Sequence, residues 1–156
     1  MHALRSLASN GVQRNDVVSL RRNFDDPLPI DQQLVRRAAA AFGGLRVCVA
    51  TSGKATHFGL DERLALMRPH LDPLERVVLE PFEGLLALHA RTAGARFLVR
   101  SIRGPRDYEF EMQMAFANRD LAPEVEIVFL PPSPATALVS STLVREVASL
   151  GGDVSA

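Results

Sequence analysis

Short apolar runs alternate along this chain with longer segments in which apolar residues recur every three or four positions. Five of the short runs are rich in valine, isoleucine or leucine and contain few turn residues, which is typical of buried strands. They are "DVVSL" (16–20), "LRVCVAT" (45–51), "ERVVLE" (75–80), "RFLVRS" (96–101) and "EVEIVFL" (124–130).

The segments between these runs have the three-and-four spacing of amphipathic helices. They are "IDQQLVRRAAAAF" (30–42), "LDERLALMRPHL" (60–71), "GLLALHARTAG" (84–94) and "DYEFEMQMAFANRDL" (107–121), with "STLVREVASL" (141–150) after the last strand. Because each strand is followed by a helix, the pattern predicts an α/β fold with a five-stranded parallel sheet and helices on both faces. We expect residues 1–15 to be a loosely ordered N-terminal extension and residues 16–156 to form a single domain.

Composition limits the kinds of partner. Lys plus Arg equals Asp plus Glu at 18 each, so the net charge gives no reason to expect a nucleic-acid partner. The sequence also lacks an apolar run as long as a membrane span, and we therefore expect a cytoplasmic protein without a membrane partner. The single cysteine, Cys48, lies in a strand pattern and is expected to be a small buried apolar residue.

Ligands of such sheets bind beyond the carboxyl ends of the strands, where the strand order reverses. The residues that follow the predicted strands there are basic or carry hydroxyl groups, which suits a polyphosphate ligand. Lys54 is either a phosphate ligand or an ordinary loop residue. Arg100 and Arg103 form either a phosphate clamp or ion pairs. Ser140 to Thr142 cap the last helix, and a capped helix N-terminus is also suited to phosphate.

The second half of the chain resembles phosphopantetheine adenylyltransferase, the family that joins ATP and 4′-phosphopantetheine into dephospho-coenzyme A and pyrophosphate. The resemblance is most specific in "VRSIRGPRDYEFEMQMAFANRDLAPEVEIVFLPPS" and "VSSTLVREVASLGGDVS", and it extends from about Val17 to Ser155, nearly the whole chain. The positions that match the family pattern are Arg100, Arg103, Asp107, Tyr108, Glu109, Glu111, Asn118, Arg119, Leu121, Pro123 and Glu124. The resemblance implies a Rossmann-like nucleotidyltransferase fold and a homo-oligomer, a hexamer in most family members.

The resemblance also implies roles for individual residues. Lys54 and Arg100 would contact the phosphate of phosphopantetheine, and Leu86 would lie against the pantetheine arm. The residues expected to face ATP are Asn23, Phe24, Arg103, Glu111, Thr136, Ser140, Ser141 and Thr142. If the protein is active, Mg²⁺ would accompany ATP. Two positions in this half of the chain depart from the family pattern: Ser101 replaces a glycine, and Thr136 stands where tryptophan is common.

The first loop departs most from the family, whose pattern there is Tyr-Pro-Gly-(Ser/Thr)-Phe-Asp-Pro-x-Thr-x-Gly-His. A gapless alignment places "LRRNFDDPLPID" (20–31) against it, so that only Phe24 and Asp25 match. Arg22 and Ile30 replace the glycines, and Asp31 replaces the histidine. Histidine donates a hydrogen bond to the charge that develops on the α-phosphate, whereas ionised aspartate repels phosphate unless Mg²⁺ lies between them.

Three interpretations remain open at this point. In the first, the protein is an adenylyltransferase-like enzyme of weak or altered activity, and Arg21 and Arg22 supply positive charge in place of the missing histidine. In the second, the bulk of the two arginines blocks the binding of the ATP phosphates. In the second case the protein is a non-catalytic paralogue that binds phosphopantetheine, coenzyme A or an adenine nucleotide. The third interpretation is hydrolysis of a phosphoanhydride, with Asp31 helping to hold a metal ion.

Overall fold

The computed structural model of this chain describes residues 17–19, 32–51, 58–137 and 141–154. The helices and strands follow one another as the sequence pattern predicts. They are β1 Val17–Ser19, α1 Gln32–Phe42, β2 Leu45–Ala50, α2 Leu60–Leu71, β3 Val77–Phe82, α3 Leu86–Thr92, β4 Phe97–Ser101, α4 Pro105–Leu121, β5 Glu126–Leu130, α5 Pro134–Ala137 and α6 Ser141–Ser149. The expected α/β class is therefore confirmed.

All strand pairs in the sheet are parallel, and their order is β3-β2-β1-β4-β5. The chain adds β2 and β3 on one side of β1 and then returns to add β4 and β5 on the other side. The direction of winding thus reverses between β1 and β4, where Ser19 is in register with Val99.

Two apolar clusters cover the two faces of the sheet, and they follow from the alternation of side chains along each strand. Leu45, Val47 and Val49 of β2 pack with α1 and α2 on one face. Cys48 and Ala50 point the other way and pack with α3 and with the residues around the end of α4. Helices therefore lie on both sides of the sheet, and the expected burial of Cys48 is confirmed.

Local signals explain where several helices begin and end. Gly43 follows α1 with φ 84°, a left-handed conformation that glycine adopts easily, and its N–H donates to the Ala39 carbonyl. At the start of α2, the Glu62 carboxylate accepts the Gly59 N–H at 2.7 Å. Pro105 is the first residue of α4, where a missing N–H costs nothing.

The predicted boundaries differ from the observed ones in a few places. Strand β3 begins two residues later than predicted, and the four-residue helix α5 was not predicted. None of the described helices has both the length and the apolar character that crossing a membrane requires.

Candidate functional site

The winding reversal makes the carboxyl ends of β1 and β4 the place where this fold binds ligands. The segment that follows β1, with Arg21, Arg22, Asn23, Phe24 and Asp31, lies outside the described residues, as does Lys54 after β2. The segment that follows β4 is described. The described part of the candidate site therefore consists of β4, the loop 102–104 and α4.

Arg100 and Glu111 form a buried bidentate ion pair beside this edge. Arg100 is the last but one residue of β4, and Glu111 lies on α4, which returns over the sheet. Arg100 Nε donates to Glu111 Oε2 at 2.7 Å, and Arg100 Nη2 donates to Glu111 Oε1 at 2.6 Å. Each residue is only 8% exposed, so the pair is largely removed from water. The bidentate pair thus fixes the orientation of a permanently charged guanidinium near the carboxyl end of β4, where low exposure strengthens its polar interactions.

Arg103 lies on the exposed side of the same loop. Its Nε donates to Asp107 Oδ2 at 2.9 Å, in an i,i+4 pair at the beginning of α4. The same carboxylate oxygen lies 3.4 Å from the Arg103 backbone nitrogen. Asp107 is also the acidic residue in the first turn of α4, where negative charge is favourable. The two strand-end arginines therefore differ: Arg100 is buried and rigidly paired, and Arg103 is solvent-facing.

Ser101, the last residue of β4, carries a buried hydroxyl without a hydrogen-bond partner in the part of the chain that the structure describes. This is the position at which the family resemblance expects glycine. A buried hydroxyl that lacks a partner costs free energy, about 1 to 3 kcal/mol for a polar group of this kind. The side chain of Ser101 is therefore a local departure in a segment that otherwise matches.

The remaining predicted site residues that the structure describes are on three helices. Leu86 is the first residue of α3, is half-buried and packs against the apolar cluster beneath it. Thr136 lies in α5, and Ser141 and Thr142 begin α6, while Ser140 lies outside the described residues. The loop that precedes α5 is tied to α1, because Arg37 Nη1 donates to the Pro131 carbonyl at 2.9 Å.

The structure also brings together a polar group that the sequence interpretation missed. Glu80 of β3 accepts hydrogen bonds from Arg46 Nη1 and from the Cys48 thiol, at 3.0 and 3.6 Å, and His89 Nε2 lies 3.0 Å from Glu80 Oε1. The sequence pattern predicts only that Cys48 is buried, and it does not connect Cys48 with Glu80 or His89. The signal that could have joined them is the parallel register, which pairs Cys48 directly with Glu80.

Charge in this group is set by burial and by neighbours. Burial opposes ionisation of Glu80, but the hydrogen bond from His89 and the positive charge of Arg46 hold the pKa of its carboxyl below its usual range. Burial raises the pKa of the Cys48 thiol, and the adjacent Glu80 carboxylate raises it further. Glu80 is therefore the ionised member of the group, and Cys48 is a neutral thiol.

Comparison with known proteins agrees with this geometry. The sequence profile described as cytidylyltransferase-like matches residues 32–147. A phosphopantetheine adenylyltransferase of Nitrosomonas eutropha is 43% identical over 141 residues, which cover 90% of this chain and 86% of that protein. Proteins of the same name from Aromatoleum aromaticum and Thioalkalivibrio sulfidiphilus are 46% and 48% identical, over 80% and 78% of this chain and 77% of each relative. The chain belongs to the phosphopantetheine adenylyltransferase family.

Family membership confirms the resemblance inferred from the sequence segments 99–133 and 139–155. It also places this phosphopantetheine adenylyltransferase relative within the wider group of cytidylyltransferase-like proteins. The profile match begins at residue 32, immediately after the divergent loop that contains Arg22 and Asp31. The roles of individual residues toward ligands remain predictions from the resemblance.

Proposed function

We propose that this protein binds 4′-phosphopantetheine and its adenylylated product, dephospho-coenzyme A, at the carboxyl edge of the sheet. The observation that carries the proposal is the Arg100–Glu111 pair, which holds a guanidinium in a fixed, poorly hydrated position beside the winding reversal. Arg100 would bind the phosphate of phosphopantetheine, with Lys54 as a second cation. Glu111 would act through Arg100, as the residue that positions it. Leu86 would contact the pantetheine arm.

The reaction that fits these ligands is adenylyl transfer. An oxygen of the phosphopantetheine phosphate forms a bond to the α-phosphorus of ATP. The bond from that phosphorus to the oxygen that bridges towards the β-phosphate breaks, and pyrophosphate leaves with that oxygen. Since no covalent intermediate is needed, the protein contributes by aligning the two anionic reactants and by compensating their charge.

Arg103 and the residues of α5 and α6 would bind the nucleotide. Arg103 is suited to this because its side chain is 35% exposed and its Nε donates to Asp107, so that the guanidinium is held in place but not buried. The family resemblance also assigns Asn23 and Phe24 of the first loop, together with Thr136, Ser140, Ser141 and Thr142, to the nucleotide. The N–H groups of a helix N-terminus such as that of α6 suit a phosphate oxygen.

Mg²⁺ enters this proposal only as an ion bound to the phosphates of ATP. Within residues 32–51, 58–137 and 141–154, the one group of three potential metal ligands is Cys48, Glu80 and His89. It offers a sulfur and a nitrogen, whereas Mg²⁺ prefers an octahedron of oxygens. This group therefore does not fit Mg²⁺.

The first loop determines how fast the transfer is. We propose weak or altered activity, because Asp31 replaces a hydrogen-bond donor that is typically worth about 10²- to 10³-fold in turnover. Arg21 and Arg22 are candidates to supply the missing positive charge. The alternative, a non-catalytic paralogue that only binds these ligands, is favoured by the bulk of Arg22 at a position where the family pattern has glycine.

A comparison of loop variants separates these alternatives. If the loop is a decayed phosphate site, the triple variant Arg22→Gly, Ile30→Gly, Asp31→His should release pyrophosphate about 10²-fold faster than the wild type, and Asp31→His alone should gain less. If the arginines have rebuilt the site, Arg22→Ala should abolish a measurable activity and the triple variant should lower it. Wild-type turnover that changes with neither variant would contradict both accounts.

We also propose that the protein assembles as a homo-oligomer. Support comes from large apolar side chains that the single chain leaves exposed on α4, among them Tyr108, Met114 and Phe116 at 52%, 39% and 59%. Light scattering should give a mass well above the 17.0 kDa of one chain. A monomer in dilute neutral buffer would contradict this part of the proposal.

A further inference from the structure

Three side chains with different metal-binding atoms meet on the α3 face of the sheet, away from the winding reversal. Cys48 and Glu80 are direct neighbours on β2 and β3, and their side chains lie on the same face. His89 lies one turn into α3, which packs over that face. The Cys48 sulfur, a Glu80 oxygen and a His89 nitrogen all lie within 4.8 Å of one another.

These separations are close to those of a tetrahedral zinc site. Zinc–ligand distances of about 2.0 to 2.3 Å place the ligand atoms of a tetrahedron roughly 3.3 to 3.6 Å apart. Glu80 Oε1 already lies 3.6 Å from Cys48 Sγ and 3.0 Å from His89 Nε2. Small side-chain rotations would therefore convert the hydrogen-bonded cluster into a coordination shell.

The surroundings orient two of the three candidate ligands. Arg46 Nη1 donates to Glu80 Oε2 at 3.0 Å, which leaves Oε1 facing Cys48 and His89. The Phe82 ring lies 5.3 Å from the His89 ring, measured between centroids, and limits how the imidazole can turn. Ligand carboxylates in metal sites are held by outer partners in this way.

The cluster also has a buried side and an accessible side. Cys48 is fully buried, whereas the His89 and Glu80 side chains are 24% and 18% exposed. An ion can therefore approach past His89, and a water molecule can take the fourth position on that side. Three protein ligands and one water are a common arrangement for zinc in proteins.

We propose that Cys48 Sγ, Glu80 Oε1 and His89 Nε2 bind a first-row divalent ion of the zinc class, and that this ion fastens α3 to β2 and β3. On binding, the thiol gives up its proton to solvent, and the neutral imidazole carries its proton on Nδ1, so that Nε2 coordinates. The ligand set excludes Mg²⁺ and Ca²⁺, which prefer oxygen, and suits Zn²⁺ and Co²⁺. This inference does not rest on the proposed function, because the site requires neither ATP nor phosphopantetheine.

Cobalt provides a direct test, because a thiolate bound to Co²⁺ gives a charge-transfer absorption band in the near ultraviolet. Cys48 is the single cysteine of the whole sequence, so in the wild-type protein such a band can only come from Cys48. We expect the band to saturate at one Co²⁺ per chain and to disappear when Zn²⁺ displaces Co²⁺. Saturating Co²⁺ binding without the band would overturn the proposal.

Variants and thermal unfolding complete the test. His89→Asn should raise the Kd for Co²⁺ at least about tenfold, which is the lower end of the 10- to 100-fold loss of affinity that changes around a metal site typically cause. The control His70→Asn changes an exposed histidine that contacts Gln32 and should leave the band unchanged. Zn²⁺ at a hundredfold excess over its Kd should raise the wild-type Tm by about 5 to 10 °C. A band of equal strength in His89→Asn, or no rise in Tm with Zn²⁺, would contradict the proposed ligand set.

Discussion

The Arg100–Glu111 pair allows the demands of folding to be separated from those of ligand binding. Removing one member of a buried ion pair leaves an uncompensated charge and typically costs about 3 to 5 kcal/mol. Both residues are 8% exposed here, so we expect Arg100→Met and Glu111→Leu each to fall in that range. That is a large share of the roughly 5 to 15 kcal/mol by which domains are stable.

The double variant should behave differently. Replacing both charges by apolar side chains of similar size removes the desolvation cost together with the attraction, and such exchanges are often neutral. We therefore expect Arg100→Met with Glu111→Leu to unfold in urea close to the wild type. If each single change costs about 3 to 5 kcal/mol and the double change costs nothing, the double-mutant cycle gives a coupling equal to the sum of the single costs, roughly 6 to 10 kcal/mol.

The chain offers a matched control for the cycle. Arg119 Nη2 and Glu126 Oε1 also lie 2.6 Å apart, but both side chains are 57% exposed. An exposed pair of this kind is worth about 0 to 1 kcal/mol. A coupling between Arg100 and Glu111 as small as that between Arg119 and Glu126 would mean that burial does not strengthen the interaction, and it would contradict this prediction. If the double variant folds and still binds dephospho-coenzyme A as the wild type does, Arg100 has no role in binding the phosphate.

Two further predictions concern stability. Ser101→Ala removes a buried hydroxyl that has no hydrogen-bond partner among the described residues. We expect the free energy of unfolding to rise by about 1 kcal/mol and the Tm by roughly 2 to 4 °C. A loss of stability would mean that the hydroxyl does have a hydrogen-bond partner. The folded-state pKa of Glu80 lies below its ordinary value of 4.5. The ionised Glu80 carboxylate therefore stabilises the fold above that pH, and this stabilisation is lost as the pH falls through the folded-state pKa. The urea midpoint of the wild type should therefore fall more steeply below about pH 4.5 than that of Glu80→Gln, and parallel curves would contradict the assigned charge.

The order of most helices and strands could be predicted from the sequence because short apolar runs, rich in valine, isoleucine and leucine, alternate with longer mixed segments. The bounds of α2, residues 60–71, were predicted as observed, since the run begins after Gly59 and carries acidic residues in its first turn. Helix α5 was missed because four residues cannot establish a helical period. Strand β3 was placed two residues early, because "ERVVLE" and the following "PF" do not mark a boundary by composition.

The candidate site could be predicted only in part. Strand ends are visible in a sequence, so Arg100 and Arg103 could be assigned to the same edge. The partner of Arg100 depends on how α4 packs against β4, and no local pattern specifies that packing. The Cys48, Glu80 and His89 group depends on strand register and on the placement of α3, which are tertiary properties. The sequence pattern therefore did not predict this group.

The most direct test of the proposed function is a calorimetric comparison of 4′-phosphopantetheine with pantetheine, which lacks the phosphate. One charged hydrogen bond to the phosphate is worth about 1.5 to 3 kcal/mol, which corresponds to roughly 10- to 150-fold in Kd. We predict that the wild-type protein binds 4′-phosphopantetheine at least about tenfold more tightly than pantetheine. We also predict that the folded Arg100→Met, Glu111→Leu variant loses most of the difference. Equal affinity of the wild type for the two ligands, or no binding of either at millimolar concentration, would contradict the account.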